Sequence, residues 1–296
     1  MQKIETYCKI CGSKKESVSA HLRSDTYGGE VTYRLLRCNS CGLRYIQPQP
    51  PWEAIKKLYS GKLYYEEAGT DGFNEDGSLK FPPHKLDLCG LILDEIEPYI
   101  RARKPRVLDV GCGWGHFLKI VKDKGWYAEG LEMSKISADY VRERLGINVF
   151  NGTLKEALFK DEDFDLVHMA DVLEHMAEPF KALDEARRIL RPGGIIVLKT
   201  PNADSLLNRL DFLYLKYVFY AKPKSHLFLQ HLYHFTAPAL KKGVENCRFE
   251  YLKTIFFQEP FRTKAKGILR DMVINTIAKA SVMPSHKTSI IVLARK

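Results

Sequence analysis

The fold is decided by the stretch Val107-Leu108-Asp109-Val110-Gly111-Cys112-Gly113-Trp114-Gly115, in which a short apolar run passes directly into a glycine-rich turn. A buried run followed at once by Gly-x-Gly-x-Gly predicts a strand, a tight turn and then a helix. Such a turn lets the backbone approach a ligand closely and points the first amides of the helix at it. The stretch therefore predicts a ligand-binding loop at the carboxyl end of a strand.

Apolar runs and helical patterns alternate on both sides of this loop. Five runs predict strands, at 107–110, 128–132, 148–150, 164–169 and 195–199, and two more follow at 249–257 and 289–293 around a helix near 265–280. Alternation of strand and helix predicts a parallel sheet with helices on both faces. We expect an α/β fold with a doubly wound, mostly parallel seven-stranded sheet.

Two acidic residues indicate which ligand the loop accepts. Asp109 lies two residues before the first glycine, where its carboxylate would repel a pyrophosphate but suit a cationic ligand. A dinucleotide fingerprint would need glycine at position 116, which is a histidine. Glu132 ends the second strand, well placed for hydrogen bonds to a ribose diol. The residues predict a pocket for a positively charged nucleoside without phosphate, and a tight turn without a ligand is the structural alternative.

Four motifs, in this order and spacing, resemble the class I S-adenosylmethionine-dependent methyltransferases. They are Val107–Gly115, Gly130-Leu131-Glu132, Phe164-Asp165-Leu166-Val167 and Leu190-Arg191-Pro192-Gly193-Gly194. The resemblance covers roughly residues 84 to 296. It implies a Rossmann-like methyltransferase fold and S-adenosylmethionine as the methyl donor.

The resemblance also implies the residues that contact this cofactor. An acidic residue and the backbone of the glycine loop would hold the amino-acid end of the cofactor. A second acidic residue would bind the ribose, and the residue after it would pack on the adenine face. Residues after the third strand would line the adenine edge. In chain order the expected contacts are Asp109, Gly111, Cys112, Gly113 and Gly115, then Glu132 and Met133, then Gly152, Thr153, Leu154 and Ala170. Asn151 departs from the family pattern, in which an acidic residue often contacts the adenine amine there.

Four of the seven cysteines form two identical spacings, Cys8-x-x-Cys11-Gly12 and Cys38-x-x-Cys41-Gly42. Two such turns supply four thiolates, the set that a tetrahedral structural zinc ion takes. Apolar runs at 31–37 and 43–46 predict two short strands joined by the second turn. We expect a zinc ribbon over residues 1–48 that the metal folds. A redox dithiol is the alternative, although neither pair lies in a βαβ pattern.

Proline-rich residues 47–51 end this module and suggest the remaining organisation of the chain. Residues 49–104 form a linker and a helical lead-in. Residues 105–296 form the methyltransferase domain, with a substrate-cap segment at about 201–235.

Transfer of a methyl group to a hydroxyl needs a group that removes the proton, and histidine, with a reference pKa of about 6.5, suits that task. His231 lies after the fifth strand, where the family usually builds its substrate pocket, so we predict His231 as the base and His175 as the second candidate. Packing or helix-orienting roles stay open for these histidines. His231 and His234, spaced i, i+3, could also ligate a metal, but no carboxylate adjoins them in the sequence.

Methylation of a small molecule is the favoured function, at a hydroxyl or carbon of a sugar, glycan precursor or similar metabolite, and the acceptor could be lipid-linked. An RNA methyltransferase that grips the phosphate backbone with the ribbon and basic tail is the first alternative. A non-catalytic cofactor-binding subunit is the second. The net charge of +10 suits anionic partners, but eight basic residues against one acidic residue follow residue 260. The ribbon has no dense basic patch, so nucleic acid is disfavoured.

The apolar segment 206–224 contains three lysines and predicts a pocket cap, an oligomer interface or a peripheral membrane contact. No apolar stretch reaches the roughly 20 residues that span a bilayer. No secretory signal is visible at the N-terminus. We therefore expect a cytoplasmic protein, with peripheral association with a membrane as an alternative.

Overall fold

The computed structural model describes residues 7–24, 31–60, 73–74, 78–217, 230–259 and 287–296. The helix predicted near 265–280 lies outside these residues. The strands are β1 (Glu16–Ser24), β2 (Val31–Cys38), β3 (Arg44–Gln47), β4 (Arg106–Val110), β5 (Tyr127–Glu132), β6 (Asn148–Asn151), β7 (Phe164–Ala170), β8 (Leu190–Pro201), β9 (Tyr233–His234), β10 (Glu250–Phe257) and β11 (Ser289–Arg295). The α-helices are α1 (Trp52–Ser60), α2 (Pro83–Ile96), α3 (His116–Asp123), α4 (Lys135–Leu145), α5 (Pro179–Ile189), α6 (Leu206–Tyr217) and α7 (Ala237–Asn246).

Seven of these strands form the central sheet, in the order β10-β11-β8-β7-β4-β5-β6. Strands β4 to β8 pair in parallel, whereas β11 runs antiparallel to both of its neighbours. Strands β4, β7 and β8 are largely apolar and buried because helices cover both faces of a parallel sheet. The predicted doubly wound, mostly parallel seven-stranded sheet is confirmed.

The topology places a crevice at the carboxyl end of β4. From β4 the chain proceeds outward through β5 and β6, then returns to β7 on the other side of β4 and continues to β8. Ligands of open α/β sheets bind at such a switch point. The glycine-rich turn, residues 111–115, lies at this point because it directly follows β4.

A second sheet contains the N-terminal strands in the order β1-β2-β3-β9. The two strands predicted around the second cysteine turn are confirmed as β2 and β3, whereas the sequence did not indicate β1 or β9. Strand β9 comes from the segment after α6 and pairs antiparallel with β3, Tyr45 opposite Tyr233. The amide of Ile46 extends this pairing by donating to the carbonyl of Leu232 at 3.1 Å. The N-terminal sheet is thus completed by a strand that lies almost 200 residues further along the chain.

Side chains reinforce the attachment of the N-terminal sheet. The Thr236 hydroxyl donates to the Cys41 carbonyl at 3.1 Å and accepts the Ala239 amide at 3.2 Å, so it caps α7 while it holds the cysteine turn. Arg44 is 8% exposed and lies 4.3 Å from the centre of the Phe212 ring. Burial lowers the pKa of Arg44 to about 10. The N-terminal strands and the central sheet share one continuous apolar core.

Gly111 provides a test of the turn geometry. Its φ is +72°, and a Cβ at this position would lie 2.3 Å from Cγ2 of Val172. We expect Gly111→Ala to lower the free energy of unfolding by about 2 to 4 kcal/mol, because left-handed strain adds to steric overlap. Urea denaturation measures the change.

Gly90→Ala is the matched control, since Gly90 lies within α2 and its added Cβ would meet no described heavy atom within 4 Å. This variant should gain up to about 1 kcal/mol from helix propensity. Equal free energies of unfolding for the two variants would contradict the geometry assigned to the turn.

Candidate functional site

The glycine-rich turn presents its backbone toward the crevice. The amides of Gly111 and Cys112 both donate to the Leu131 carbonyl, at 2.7 and 3.1 Å, which ties the turn to β5. Gly113 has a φ of +51°, and no described atom lies within 4 Å of the position that its Cβ would take. The turn is therefore anchored on one side and open at Gly113, where a ligand can approach the backbone.

Glu132 faces this open part of the turn. It is 4% exposed, and its carboxylate accepts the amides of Gly113 at 2.9 Å and Ser134 at 2.8 Å. The sequence predicted that Glu132 and the turn belong to one site, and the structure brings them into direct contact. The Glu132 carboxylate therefore joins the glycine turn to the end of β5.

Asp109 is held by a histidine that the sequence analysis did not single out. The Nδ1–H of His168 donates to Oδ1 of Asp109 at 2.7 Å, and both side chains are buried. The Phe117 ring stacks on this imidazole with ring centres 3.9 Å apart. His168 thus fixes the orientation of the carboxylate. The sequence gives little indication of this role for His168, because the residue occurs inside an otherwise apolar strand.

A cavity of about 300 Å³ lies beside the end of β5. The Asn151 amide donates to the carbonyls of Glu132 and Met133, at 2.8 and 3.0 Å, and so holds the base of the cavity. Its lining includes three predicted adenine contacts, namely Met133, Gly152 and Thr153. Of the other predicted contacts, Leu154 is buried, Cys112 packs beneath Gly130, and Ala170 ends β7. The position and volume of the cavity allow a nucleoside base to bind there.

A second cavity, of about 310 Å³, lies where β8 meets α6. Lys199 is buried in its wall and forms ion pairs with Asp171, at 2.5 Å, and with Glu259. Burial opposes the charge on Lys199, but the two carboxylates outweigh it and raise its pKa. Hydroxyl, amide and carboxylate side chains from Ser205, Asn208, Asp211, Thr288 and Ser289 complete the polar lining.

His175 lies in the short turn Leu173–His175 after β7, and its ring is held by two groups. Nδ1 is 2.6 Å from the Tyr59 hydroxyl and 2.8 Å from the Gln230 carbonyl. A carbonyl oxygen only accepts, so Nδ1 carries the hydrogen and Nε2 is the free base. The Tyr59 hydroxyl itself donates to the same carbonyl at 3.2 Å. Sequence reasoning missed Tyr59, because it occupies an ordinary apolar position of α1.

The predicted base, His231, lies next to His175, with ring centres 4.7 Å apart, and His234 follows at 5.8 Å from His231. The structure also brings Glu174 to this cluster, although no carboxylate adjoins the later histidines in the sequence. One ligand atom each from Glu174, His175 and His231 lies within 4.8 Å of the others. The Leu232 amide donates to the Glu174 carbonyl at 2.8 Å, which joins the two segments. Such a cluster can bind a hydroxyl group or a cation.

Burial sets the protonation of this cluster. It raises the pKa of Glu174 to about 8, with a further contribution from Asp171. It lowers the pKa values of His175 and His231. At neutral pH the imidazoles are therefore uncharged and able to accept a proton, and the carboxyl group is mostly protonated.

The four N-terminal cysteines converge as their spacing predicted. The Sγ atoms of Cys8 and Cys41 are 3.6 Å apart, those of Cys11 and Cys38 are 3.5 Å apart, and all four lie within 4.8 Å of one another. Zinc–sulfur bonds of about 2.3 Å in a tetrahedron place sulfur atoms about 3.8 Å apart. The hydrogen bond from Cys41 lowers the pKa of Cys8 to about 5. The donor set fits a tetrahedral metal ion.

A family model described as a methyltransferase domain matches residues 84–254, more than half of the chain. The chain belongs to this family, and the matched region is a class I S-adenosylmethionine-dependent methyltransferase domain.

Among curated proteins, the ubiquinone biosynthesis O-methyltransferase of Roseobacter denitrificans is 30% identical over 153 residues, which are 47% of this chain and 61% of that protein. The protein of the same name from Coxiella burnetii (strain Dugway 5J108-111) is 28% identical over 166 residues, 54% of this chain and 69% of that one. The chain thus spans about three fifths of the Roseobacter relative.

Among solved structures, a SAM-dependent methyltransferase from Archaeoglobus fulgidus matches 79% of this chain and 100% of its own, with a TM-score of 0.53 and 22% identity. At this identity the likeness concerns the fold alone.

None of the helices in the described ranges is long and apolar enough to cross a bilayer. Helix α6 covers Leu206–Tyr217 of the predicted cap segment, with Leu210 and Leu213 about half exposed. Residues 218–224 of the predicted membrane contact lie outside the described part of the chain.

Proposed function

We propose that this protein transfers the methyl group of S-adenosylmethionine to a hydroxyl group of a small-molecule acceptor. The observation that carries this proposal is the Glu174, His175 and His231 cluster, which follows β7 at the carboxyl edge of the sheet. Val172 connects this cluster to the cofactor loop, since its side chain packs directly against Gly111. Neutral imidazoles next to a cofactor loop can remove a proton from a hydroxyl acceptor.

The described residues fit S-adenosylmethionine. When the cofactor is bound, its sulfonium centre would supply an electrophilic methyl group. Asp109 and the open backbone at Gly113 would hold the charged amino-acid end, and Glu132 would bind the ribose hydroxyls. The cavity beside Met133 would take adenine. Remaining contacts are those predicted from the sequence, Gly111, Cys112, Gly115, Gly152, Thr153, Leu154 and Ala170.

The polar cavity between β8 and α6 supports a proposal for the acceptor class. Its lining of hydroxyl, amide and carboxylate groups around Lys199 favours a ligand rich in hydroxyl groups. A sugar or glycan precursor, free or lipid-linked, meets this requirement. The names of the curated relatives agree with methylation at oxygen. In the lipid-linked case, the exposed leucines of α6 would contact the bilayer surface.

Methylation of RNA is the weaker alternative. Lys14 and Lys15 adjoin in the N-terminal module, but the remaining basic residues there are scattered rather than grouped along a groove. A non-catalytic cofactor-binding subunit would keep Asp109 and Glu132 without needing the ordered His175 ring. The hydrogen bonds on Nδ1 of His175 favour a catalytic role.

Zinc is proposed as the structural metal of the N-terminal module, held by Cys8, Cys11, Cys38 and Cys41. Four thiolate ligands would leave no open coordination position for catalysis. Because Cys41 is hydrogen-bonded through its carbonyl to Thr236, the metal would also stabilise the segment that contains the histidines.

Incubation of the pure protein with labelled S-adenosylmethionine and a pool of nucleotide sugars and glycan lipids tests the function. We expect label in a small molecule, and a decrease in kcat of about 10²- to 10⁴-fold in His175→Ala or His231→Ala, since each removes a candidate proton acceptor. His21→Ala, at an exposed position of β1, is the control. Labelling of total RNA instead, or cofactor binding without any transfer, would reject the proposal in favour of one of the alternatives.

Glu132→Ala should weaken S-adenosylmethionine binding by about 10- to 100-fold, the loss typical of hydrogen bonds to a charged group. Isothermal titration calorimetry measures the affinity. Thermal unfolding is followed in parallel because Glu132 also holds two backbone amides. Glu143→Ala, on the exposed face of α4, is the control. An unchanged affinity in Glu132→Ala would remove Glu132 from the cofactor site.

Native mass spectrometry should find one zinc ion per chain. Cys38→Ser should lose the ion, since three thiolates bind zinc far more weakly than four. Cys89→Ala, which alters a buried cysteine outside the cluster, should retain it. Retention of ordered β2 and β3 after chelation, measured by hydrogen exchange, would contradict a metal-dependent module.

A further inference from the structure

Glu174 is a buried carboxyl group for which the described residues provide no hydrogen-bond partner. Its side chain is 1% exposed, and neither carboxyl oxygen forms a hydrogen bond of normal geometry in the described part of the chain, although the Thr200 hydroxyl is close enough to oppose the rise in its pKa. Leaving a buried polar group unsatisfied is costly, so its presence requires an explanation, and a bound ligand is one. Ligand-capable atoms of His175 and His231 lie within 4.8 Å of a carboxyl oxygen of Glu174.

The spacing of the three atoms would allow all of them to contact one oxygen atom. Because they lie within 4.8 Å of one another, a point exists that is no farther than about 2.8 Å from all three. This is the length of a hydrogen bond between oxygen and oxygen or nitrogen. A single hydroxyl oxygen at this point could bond to Glu174, His175 and His231 together.

The two best-defined partners of that oxygen have opposite roles. His175 donates through Nδ1 to the Gln230 carbonyl, so its Nε2 accepts. Glu174 has only oxygen atoms, so it donates only when it is protonated. A hydroxyl group can satisfy both at once, since it donates one hydrogen and accepts on a lone pair. An ammonium group could not accept from Glu174 at all.

We propose that Glu174 binds the acceptor as a neutral carboxylic acid, donating a hydrogen bond to the same hydroxyl oxygen whose proton His175 accepts at Nε2. This inference rests on the proposed function and specifies its acceptor group as a hydroxyl. One lone pair of the oxygen is bound by Glu174, and the other is directed at the methyl group. During transfer the oxygen–carbon bond forms, the sulfur–carbon bond breaks with its electron pair left on sulfur, and the proton passes to His175.

The surroundings of Glu174 keep it protonated at neutral pH. Burial raises its pKa to about 8, the nearby carboxylate of Asp171 adds to this, and Lys199 and the Thr200 hydroxyl oppose it. His175 and His231, the other titratable groups that face it, have pKa values lowered by burial and are uncharged. No positive charge in direct contact therefore forces Glu174 to ionise.

A divalent cation is the competing occupant, and it differs in charge and distance. It would require Glu174 as a carboxylate, with metal–ligand bonds of about 2.0–2.2 Å rather than hydrogen bonds. Glutamine replaces the neutral acid as a hydrogen-bond donor but is a poor ligand for a cation. Glu174→Gln therefore separates the two occupants.

The first test uses stability and needs no turnover. Burial raises the pKa of Glu174 from the ordinary value of 4.5 to about 8, so folding takes up a proton between these pH values. Wild type should lose stability relative to Glu174→Gln as pH rises from 5 to 8, as measured by urea denaturation of protein that retains the cysteine-bound zinc, with no other divalent cation added. Glu178→Gln is the control, since its pairing with Lys181 lowers the pKa of Glu178. Parallel pH profiles of wild type and Glu174→Gln would overturn the proposal.

The second test uses kinetics of the full-length protein. Glu174→Gln should retain kcat to within about fivefold, whereas Glu174→Ala should lose at least about 30-fold, with S-adenosylmethionine affinity unchanged in both. Wild-type activity should persist without added divalent cations, in protein that native mass spectrometry shows to retain only the zinc ion of the cysteine cluster. Equal losses in both variants, or a divalent ion at this site that Glu174→Gln releases, would overturn the neutral-acid role. Absence of any transfer by wild type would reject the proposed function, while the stability test would still decide the state of Glu174.

Discussion

The pairing of β9 with β3 is the interaction on which the arrangement of this site depends. Two residues, Tyr233 and His234, join the N-terminal sheet and thereby fix the segment that carries His231 on one side and Thr236 on the other. Thr236 then starts α7 and bonds to the carbonyl of a cysteine-turn residue. The Leu232 amide bonds to the Glu174 carbonyl and sets the distance between the two halves of the cluster. In the proposed function the cysteine module therefore stabilises the segment that carries His231.

The cofactor half and the acceptor half of the proposed site differ in charge. The proposed cofactor half would hold a cation, and it combines backbone dipoles with the carboxylates of Asp109 and Glu132, each held by a hydrogen-bond donor of the protein. The proposed acceptor half would take up a proton, and burial keeps its imidazoles and carboxyl group mostly uncharged at neutral pH. Lys199, a buried cation near this half, is already neutralised by two carboxylates. A separation of charged and uncharged halves suits a reaction that consumes the positive charge of a sulfonium and releases a proton.

The central sheet, the glycine turn and the cysteine cluster could be predicted because each is encoded by residues close together in sequence. The apolar run before Gly111 and the two Cys-x-x-Cys-Gly turns are local signals with local causes. The acceptor cluster could be predicted only in part. His231 and His175 were found as single residues, but their meeting with Glu174 and Tyr59 depends on contacts between distant segments. Strand β9 was missed because two residues carry no periodicity, and His168 because its neighbours make it look like part of the core.

The location of β9 in the sequence has a consequence for synthesis of the chain. Strand β3 ends at residue 47, and its partner begins at residue 233. At about 5–20 residues per second, roughly 10 to 40 s separate the appearance of the two strands on the ribosome. During that interval the edge of β3 offers unpaired amides and carbonyls to any extended chain nearby. The nascent N-terminal module is therefore exposed to strand-mediated association during this interval, until β9 pairs with β3.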